Sequence, residues 1–184
     1  MNTSRLLYRW RQFRQVIIVR SSPEDLDLVS SILSPAQLAL FNQMQTSEQV
    51  HSLSVTRELS HQGEENTDLH TASLLHDVGK IRAPLRLWER VLIVLVNAIC
   101  PDCIHQWGDV PTKEGLGELG WRRAFVVAEQ HPRWGADLAA QCETSALAVA
   151  LIARHQENIN PSQLAGSSLE DSLLLKLQSV DNNS

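Results

Sequence analysis

Apolar residues recur every three or four positions along most of this 184-residue chain, which is the spacing of a helix with one buried face. Strict alternation of apolar and polar residues, which marks a half-buried strand, is nearly absent. The pattern therefore predicts an all-α fold. The predicted helices cover residues 22–33, 34–44, 46–63, 67–76, 85–99, 121–129, 134–140, 144–155 and 168–180.

Capping residues mark where several of these helices start and stop. Thr46 with Gln49 predicts a capping box for the third helix, and Thr67 is expected to cap the fourth. Gly79 is placed to end that fourth helix. The stretches 101–120 and 161–166 contain glycine and proline among polar residues, so a loop and a turn are predicted there.

Composition and charge restrict the class of protein. An apolar fraction of 43% and a charged fraction of 20% are typical of a globular protein. Residues 1–20 carry five arginines and no acid, and removing these five charges from the net of −5 leaves −10 for the remainder. That acidic body argues against broad nucleic-acid binding. The longest apolar stretch, 91–100, is about half of the roughly 20 residues that a membrane span needs.

The domain prediction follows from these patterns. Residues 1–20 form a basic N-terminal segment that lacks a signal-peptide pattern, and 21–46 form a helical extension. Contact of the basic segment with an anionic surface is an alternative to docking on the protein. The three cysteines build no even disulfide framework, which predicts a reduced, cytoplasmic protein. Cys100 and Cys103 form a CxxC, but we assign it neither a metal nor a redox role.

Four of the seven histidines and two acids lie on segments that are predicted to enter the core, nearly all at helix ends. They are His51, His76, Asp77, His131, His155 and Asp181. One inward histidine is usually a hydrogen-bonded core residue, but unpaired buried polar groups cost about 1–3 kcal/mol each, and a shared cation would satisfy all six. Imidazole and carboxylate are the ligands of hydrolytic Zn, Mn and Fe sites, which helical bundles often hold.

The order of these residues resembles the H…HD…D motif of the HD-domain superfamily of metal-dependent phosphohydrolases. HSLSVTREL is similar to the family's first histidine helix, LLHDVGK to its HD signature and LQSVD to its final aspartate. The resemblance spans residues 47–181 and implies an HD-domain helical bundle over 47–184, with its ligands at helix ends. EQHPRWGADL resembles the HP-x-x-G stretch of the binuclear branches.

The resemblance also implies a ligand set and a reaction. His51, His76, Asp77 and Asp181 would bind one metal, and Asp77 would bridge to a second metal held by His131 and His155. Two ions of Fe, Mn, Co, Ni or Zn would activate water against a phosphomonoester or phosphodiester of a nucleotide-type substrate. Lys80 would offer a charge to the phosphate. The sequence continues Arg154-His155 without a GYP tripeptide, which disfavours cyclic di-GMP as substrate.

Some expectations concern residues around this set. Glu48 is expected to be a solvated acid at a helix start rather than a partner of His51. The apolar helix 88–99 is expected to cover the pocket, pack on the N-terminal segment or form a homodimer surface. Two other classes stay open: an inactive HD-like regulatory or interaction module, and an all-α nucleic-acid binder that uses the arginines of residues 1–20.

Overall fold

A computed structural model of the chain describes residues 23–109, 119–157, 159 and 168–183. These described residues form nine α-helices and no strand, so the predicted all-α class is confirmed. In chain order the helices are α1 (Pro23–Ile32), α2 (Pro35–Phe41), α3 (Thr46–His61), α4 (Thr67–Leu75), α5 (Leu87–Ile99), α6 (Pro101–Gly108), α7 (Arg123–Ala140), α8 (Ala146–Arg154) and α9 (Leu169–Asp181). Short 3-10 helices cover Val78–Arg82 and Gly120–Arg122. The predicted basic segment 1–20 and turn 161–166 lie outside the described residues.

The main core lies between α3, α4, α8 and α9, with α7 packed along α8. Its centre consists of leucine, isoleucine and valine side chains that are fully shielded from solvent: Val55, Leu59, Leu69, Leu74, Leu75, Leu151, Ile152, Leu174 and Leu177. Apolar residues of α1 and α2, such as Val29 and Phe41, belong to the same cluster. A smaller cluster under α5 contains Leu85, Val126, Val127 and Trp134. The helices that carry polar core residues are therefore fixed by apolar packing on several sides.

The predicted cap of the third helix is wrong. Helix α3 does begin at Thr46, but its N-cap residue is Gln45, whose side chain makes no capping hydrogen bond to the helix. Gln49 donates instead to the carbonyl of Phe41 in the preceding helix. A capping side chain must belong to the extended residue before the helix, and Thr46 is already helical. By contrast, Ser34 and Gln37 form a complete capping box at α2.

The cap of the fourth helix is shifted by one residue. Asn66 has an extended backbone and its side chain accepts from the backbone N–H of Leu69 at 2.9 Å. Thr67, which was predicted to be the cap, is the first residue inside α4. The helix runs to Leu75, so it ends before the predicted stop at Gly79.

Helix α7 is continuous where the sequence predicted a break at His131-Pro132. Proline lacks an N–H, so the carbonyl of Ala128, four residues earlier, loses its helical partner. The Nδ1–H of His131 donates to that carbonyl at 2.9 Å. The histidine therefore supplies a hydrogen bond that the proline cannot make, and the two residues fit inside one helix.

Residues 101–108, which were predicted to be loop, form α6. Pro101 is at the first helical position, where its missing N–H costs nothing. A disulfide joins Cys100 and Cys103 at the junction of α5 and α6, and Cys142 is free, so the prediction of reduced thiols is wrong for this pair. The helical turn sets their Cα atoms 5.4 Å apart, a separation that a disulfide can bridge.

Helix α5 is the most exposed apolar helix of the described chain. Glu89 is buried and paired with Arg123, while Leu87, Trp88, Val91, Leu95 and Ile99 are exposed. Among the described helices, none has both the length and the apolar content that a membrane crossing requires.

Candidate metal centre

The six residues proposed as metal ligands come together around Asp77. His51 lies inside α3, His76 and Asp77 follow α4, His131 lies inside α7, His155 follows α8 and Asp181 ends α9. His51 lies inside the third helix, as predicted, whereas the helix break predicted at His131 is wrong. Two sets have ligand atoms within 4.8 Å of one another. We call His51, His76 and Asp77 the open group, and Asp77, His131 and His155 the buried group.

Asp181 lies at the edge of the open group. Its Oδ1 is 2.7 Å from His51 Nε2 and 3.4 Å from His76 Nε2. On the other side of the centre, His131 Nε2 is 3.2 Å from Asp77 Oδ1. All six predicted ligands are therefore neighbours, and Asp77 is the member that both groups share.

Three of the imidazoles are oriented by backbone carbonyls three or four residues upstream. The Nδ1 atoms of His76, His131 and His155 contact Ser73 O at 2.8 Å, Ala128 O at 2.9 Å and Ile152 O at 2.8 Å, respectively. A carbonyl only accepts, so each Nδ1 carries a proton. Each Nε2 is buried and has no hydrogen-bond partner. The lone pairs of these three Nε2 atoms are therefore free to bind a metal ion.

Gly79 explains how Asp77 reaches α7. The 3-10 helix lies directly on α7, and a Cβ at Gly79 would stand 2.0 Å from His131 O and 2.6 Å from Gly135 N. Real Cβ atoms do not approach backbone so closely, so only glycine fits. The glycine therefore serves this contact and does not stop α4.

Lys80 contacts two acids. Its Nζ is 2.6 Å from Asp77 Oδ2 and 3.5 Å from Glu48 Oε2. Glu48 is buried and also pairs with Arg90 at 2.5 Å, so the prediction of a solvated Glu48 is wrong. The sequence signal was ambiguous, because an acid in the first turn of α3 also suits the helix dipole. The folded chain instead places Glu48 opposite two cations from other elements.

Charge interactions separate the protonation states within the centre. Burial alone would lower the pKa of His76, but the carboxylates of Asp77 and Asp181 raise it to about 9. Burial lowers the pKa of His155 to about 3, and the nearby imidazoles of His131 and His76 add to that effect. Near neutral pH, His155 is therefore neutral, as a metal ligand must be.

The two carboxylates are stabilised in their ionised form. Burial would raise the pKa of Asp77, but Lys80 and His76 hold it well below its usual range. Burial likewise opposes ionisation of Asp181, yet His76 and His51 hold its pKa well below the usual value. Both acids are thus available as anionic ligands.

The residues present fit a divalent transition metal. Three buried Nε2 atoms without a hydrogen-bond partner surround an ionised carboxylate, and imidazole with carboxylate suits Fe, Mn, Co, Ni and Zn. An Nδ1–H held by a backbone carbonyl is the usual arrangement of a metal-binding histidine. The other three histidines, His61, His70 and His105, belong to neither group.

Sequence reasoning missed the residues that support these ligands. Ser73 places its carbonyl on His76, and its hydroxyl lies 2.7 Å from that of Thr56 on α3. Arg90 reaches Glu48 from α5. No helical period marks such cross-element contacts, so the sequence carried no signal for them. No family model matches this chain, and no curated protein or solved structure matches it.

Proposed function

We propose that this chain is a metal-dependent phosphohydrolase of the HD-domain type, with two divalent transition metal ions. The observation that carries the proposal is the position of Asp77, whose carboxylate belongs to two histidine-containing groups at once. A carboxylate shared in this way is suited to bridging two cations. The order of the ligands along the chain supports the same family.

His51, His76, Asp77 and Asp181 would hold one ion, and Asp77, His131 and His155 the other. When bound, such ions lower the pKa of a coordinated water to about 7 and polarise a phosphoryl oxygen. The substrate class proposed from the resemblance is a phosphomonoester or phosphodiester of a nucleotide type.

The protein's own residues would act by holding and orienting. The backbone carbonyls of Ser73, Ala128 and Ile152 fix the imidazole rings, so little reorganisation is needed at the centre. Lys80 would keep Asp77 ionised. His51 and Asp181 have side chains that are 27% and 22% exposed, so a substrate would approach from this side.

The test measures metal and hydrolysis in the same preparations. Purified protein is analysed by elemental mass spectrometry and assayed with an aryl phosphomonoester and an aryl phosphodiester in the presence of Mn²⁺. We expect about two transition metal ions per chain, since two ligand groups share one carboxylate. His76→Ala and Asp77→Ala should lose metal and activity together.

His61→Ala is the matched control, because His61 is an exposed histidine at the end of α3 and belongs to neither ligand group. It should keep wild-type metal content and rate. The proposal fails if the wild-type protein binds no transition metal and hydrolyses neither ester. It also fails if Asp77→Ala retains full activity.

A further inference from the structure

A cavity lies on a face of α7 outside the candidate metal centre. Its volume is about 180 Å³, and its walls are Arg82, Gln130, Arg133, Trp134 and Asp137. Four of these residues follow the i, i+3, i+4, i+7 spacing of one helix face, and Arg82 comes from the end of the 3-10 helix. None of them is a member of the two ligand groups.

The cavity wall has a net positive charge. Arg82 pairs weakly with Asp137, whose carboxylate oxygen is 3.9 Å away, and both side chains are partly exposed. Arg133 has no ion pair with any described residue. Two arginines, one glutamine and one aspartate therefore line the cavity, which leaves a net charge of +1. An arginine guanidinium group can donate two parallel hydrogen bonds to an oxyanion such as a phosphate or a carboxylate.

Close packing of backbone on backbone fixes the two segments that carry the arginines. Gly79 lies against the carbonyl of His131, and Gly135 lies against the N–H of Gly79. Arg82 follows Gly79 by three residues, and Arg133 lies between His131 and Gly135 on α7. Because the 3-10 helix and α7 are in close backbone contact here, the backbone positions of the two arginines are fixed relative to each other.

We propose that this cavity binds a single oxyanion, with a phosphoryl group as the ligand that fits best. The volume is below the roughly 300–1,000 Å³ of pockets for drug-sized molecules, so it suits one small group rather than a whole nucleotide. A phosphate dianion matches the positive wall better than a carboxylate, because it carries more charge and more acceptor oxygens.

One consequence rests on the proposed function. Gln130 and Arg133 flank His131, and Arg82 ends the 3-10 helix that starts after Asp77. The cavity thus shares both of its elements with the candidate metal centre. In that case the bound group is a phosphoryl of a nucleotide-type ligand, the class of compound that the candidate metal centre is proposed to cleave.

The primary experiment needs neither metal nor turnover, so it remains decisive if the protein is not a hydrolase. Inorganic phosphate is titrated into ¹⁵N-labelled full-length protein, with sodium chloride at matched ionic strength as the reference. The readout is the indole N–H resonance of Trp134, assigned with Trp134→Phe. We expect a saturable shift with phosphate and a smaller, non-saturable one with chloride.

Variants identify the groups that hold the anion. Arg133→Gln should weaken phosphate binding about tenfold or more, since it removes charge-assisted hydrogen bonds. Asp137→Asn should strengthen binding, because a carboxylate that competes for Arg82 is removed. Arg86→Gln, an exposed arginine before α5, is the matched control and should bind phosphate as the wild type does.

A shift that is unchanged in Arg133→Gln, or equal with chloride alone, would overturn the oxyanion site. Two further arms separate the sources of the anion: acetate tests a carboxylate, and ADP is compared with adenosine. Competition of ADP but not adenosine with phosphate supports a phosphoryl of a nucleotide-type ligand. Tighter binding of acetate than of phosphate would refute the choice of a phosphoryl group.

Discussion

The two ligand groups share Asp77 but differ in their access to solvent. In the open group and its neighbour Asp181, the side chains of His51 and Asp181 are 27% and 22% exposed and bond each other at 2.7 Å. In the buried group, His131 and Asp77 have side chains that are 1% and 5% exposed, and His155 is equally enclosed. The His131 and His155 Nε2 atoms have no hydrogen-bond partner, and in the open group the same holds for His76, which is 1% exposed.

This difference separates two tasks within one centre. The buried group has polar atoms that are shielded from water and cannot form hydrogen bonds with it. A cation there would offset a cost of about 1–3 kcal/mol for each unpaired atom. The open group already satisfies its outer pair and faces solvent, which suits exchange of water and substrate. We therefore expect the ion in the buried group to dissociate slowly and the ion in the open group to exchange quickly with solvent.

The largest expected effect comes from removing the shared residue. Asp77→Asn should lose metal from both groups. Its metal affinity should fall by more than the roughly 10–100-fold that is lost when a residue hydrogen-bonded to a ligand is replaced. Metal content after dialysis, measured by elemental mass spectrometry, checks this. Asp181→Asn serves as the comparison and should affect the open group alone. Full occupancy of one group in Asp77→Asn would show that the groups are independent.

Removing one histidine from each group should leave one ion per chain, but a different ion in each case. His155→Ala would retain the open ion, which a chelator should remove quickly. His51→Ala would retain the buried ion, which should leave slowly because its ligands are shielded from solvent. Release rates in excess chelator are measured by absorbance of the chelate. Equal rates in the two variants would contradict the assignment of open and buried groups.

Gly79→Ala tests the contact on which the buried group depends. A Cβ at 2.0 Å from a backbone carbonyl forces the 3-10 helix away from α7, so we expect a loss of about 3 kcal/mol in the free energy of unfolding. The metal affinity of the buried group should fall as well. Urea unfolding monitored by circular dichroism measures the stability.

Gly135→Ala is the matched control for this glycine contact. Its added Cβ would lie 3.2 Å from Gly79 N, which a small adjustment relieves, so the change should stay within about 1 kcal/mol. Equal losses for the two variants would mean that the close approach at Gly79 is not the cause.

The smallest effect is expected from Glu48, which touches neither group. Glu48→Gln leaves Asp77 as the only acid near Lys80 among the described residues. Lys80 should then pair more strongly with Asp77 and lower the affinity for both ions by roughly tenfold. Isothermal titration with Mn²⁺ gives both affinities. Glu58→Gln, an exposed acid on the same helix, should change neither. A loss confined to one group would exclude action through the shared carboxylate.

Local patterns predicted most of the helices but few of their exact ends. The period of apolar residues in 144–155 and 168–180 corresponds to α8 and α9 within two residues at each end. Thr46 and Thr67 were chosen as caps one residue too late, because several polar residues stand together at each of those starts. Asn66 caps α4 with its side chain, and Gln45 precedes α3 without a side-chain capping bond. Residues 101–108 form a helix despite their turn-like composition, since packing on α7 overrides a weak propensity.

For the candidate site, the sequence by itself determined which residues are candidate metal ligands. Imidazole and carboxylate at apolar helix positions are a property of each segment, and the order His51, His76, Asp77, His131, His155 and Asp181 is written in the chain. The tertiary structure decided which group each residue joins, how Lys80 and Glu48 are used, and why Gly79 is a glycine. Those features depend on contacts between elements that are distant in sequence, and helical periodicity carries no information about such contacts.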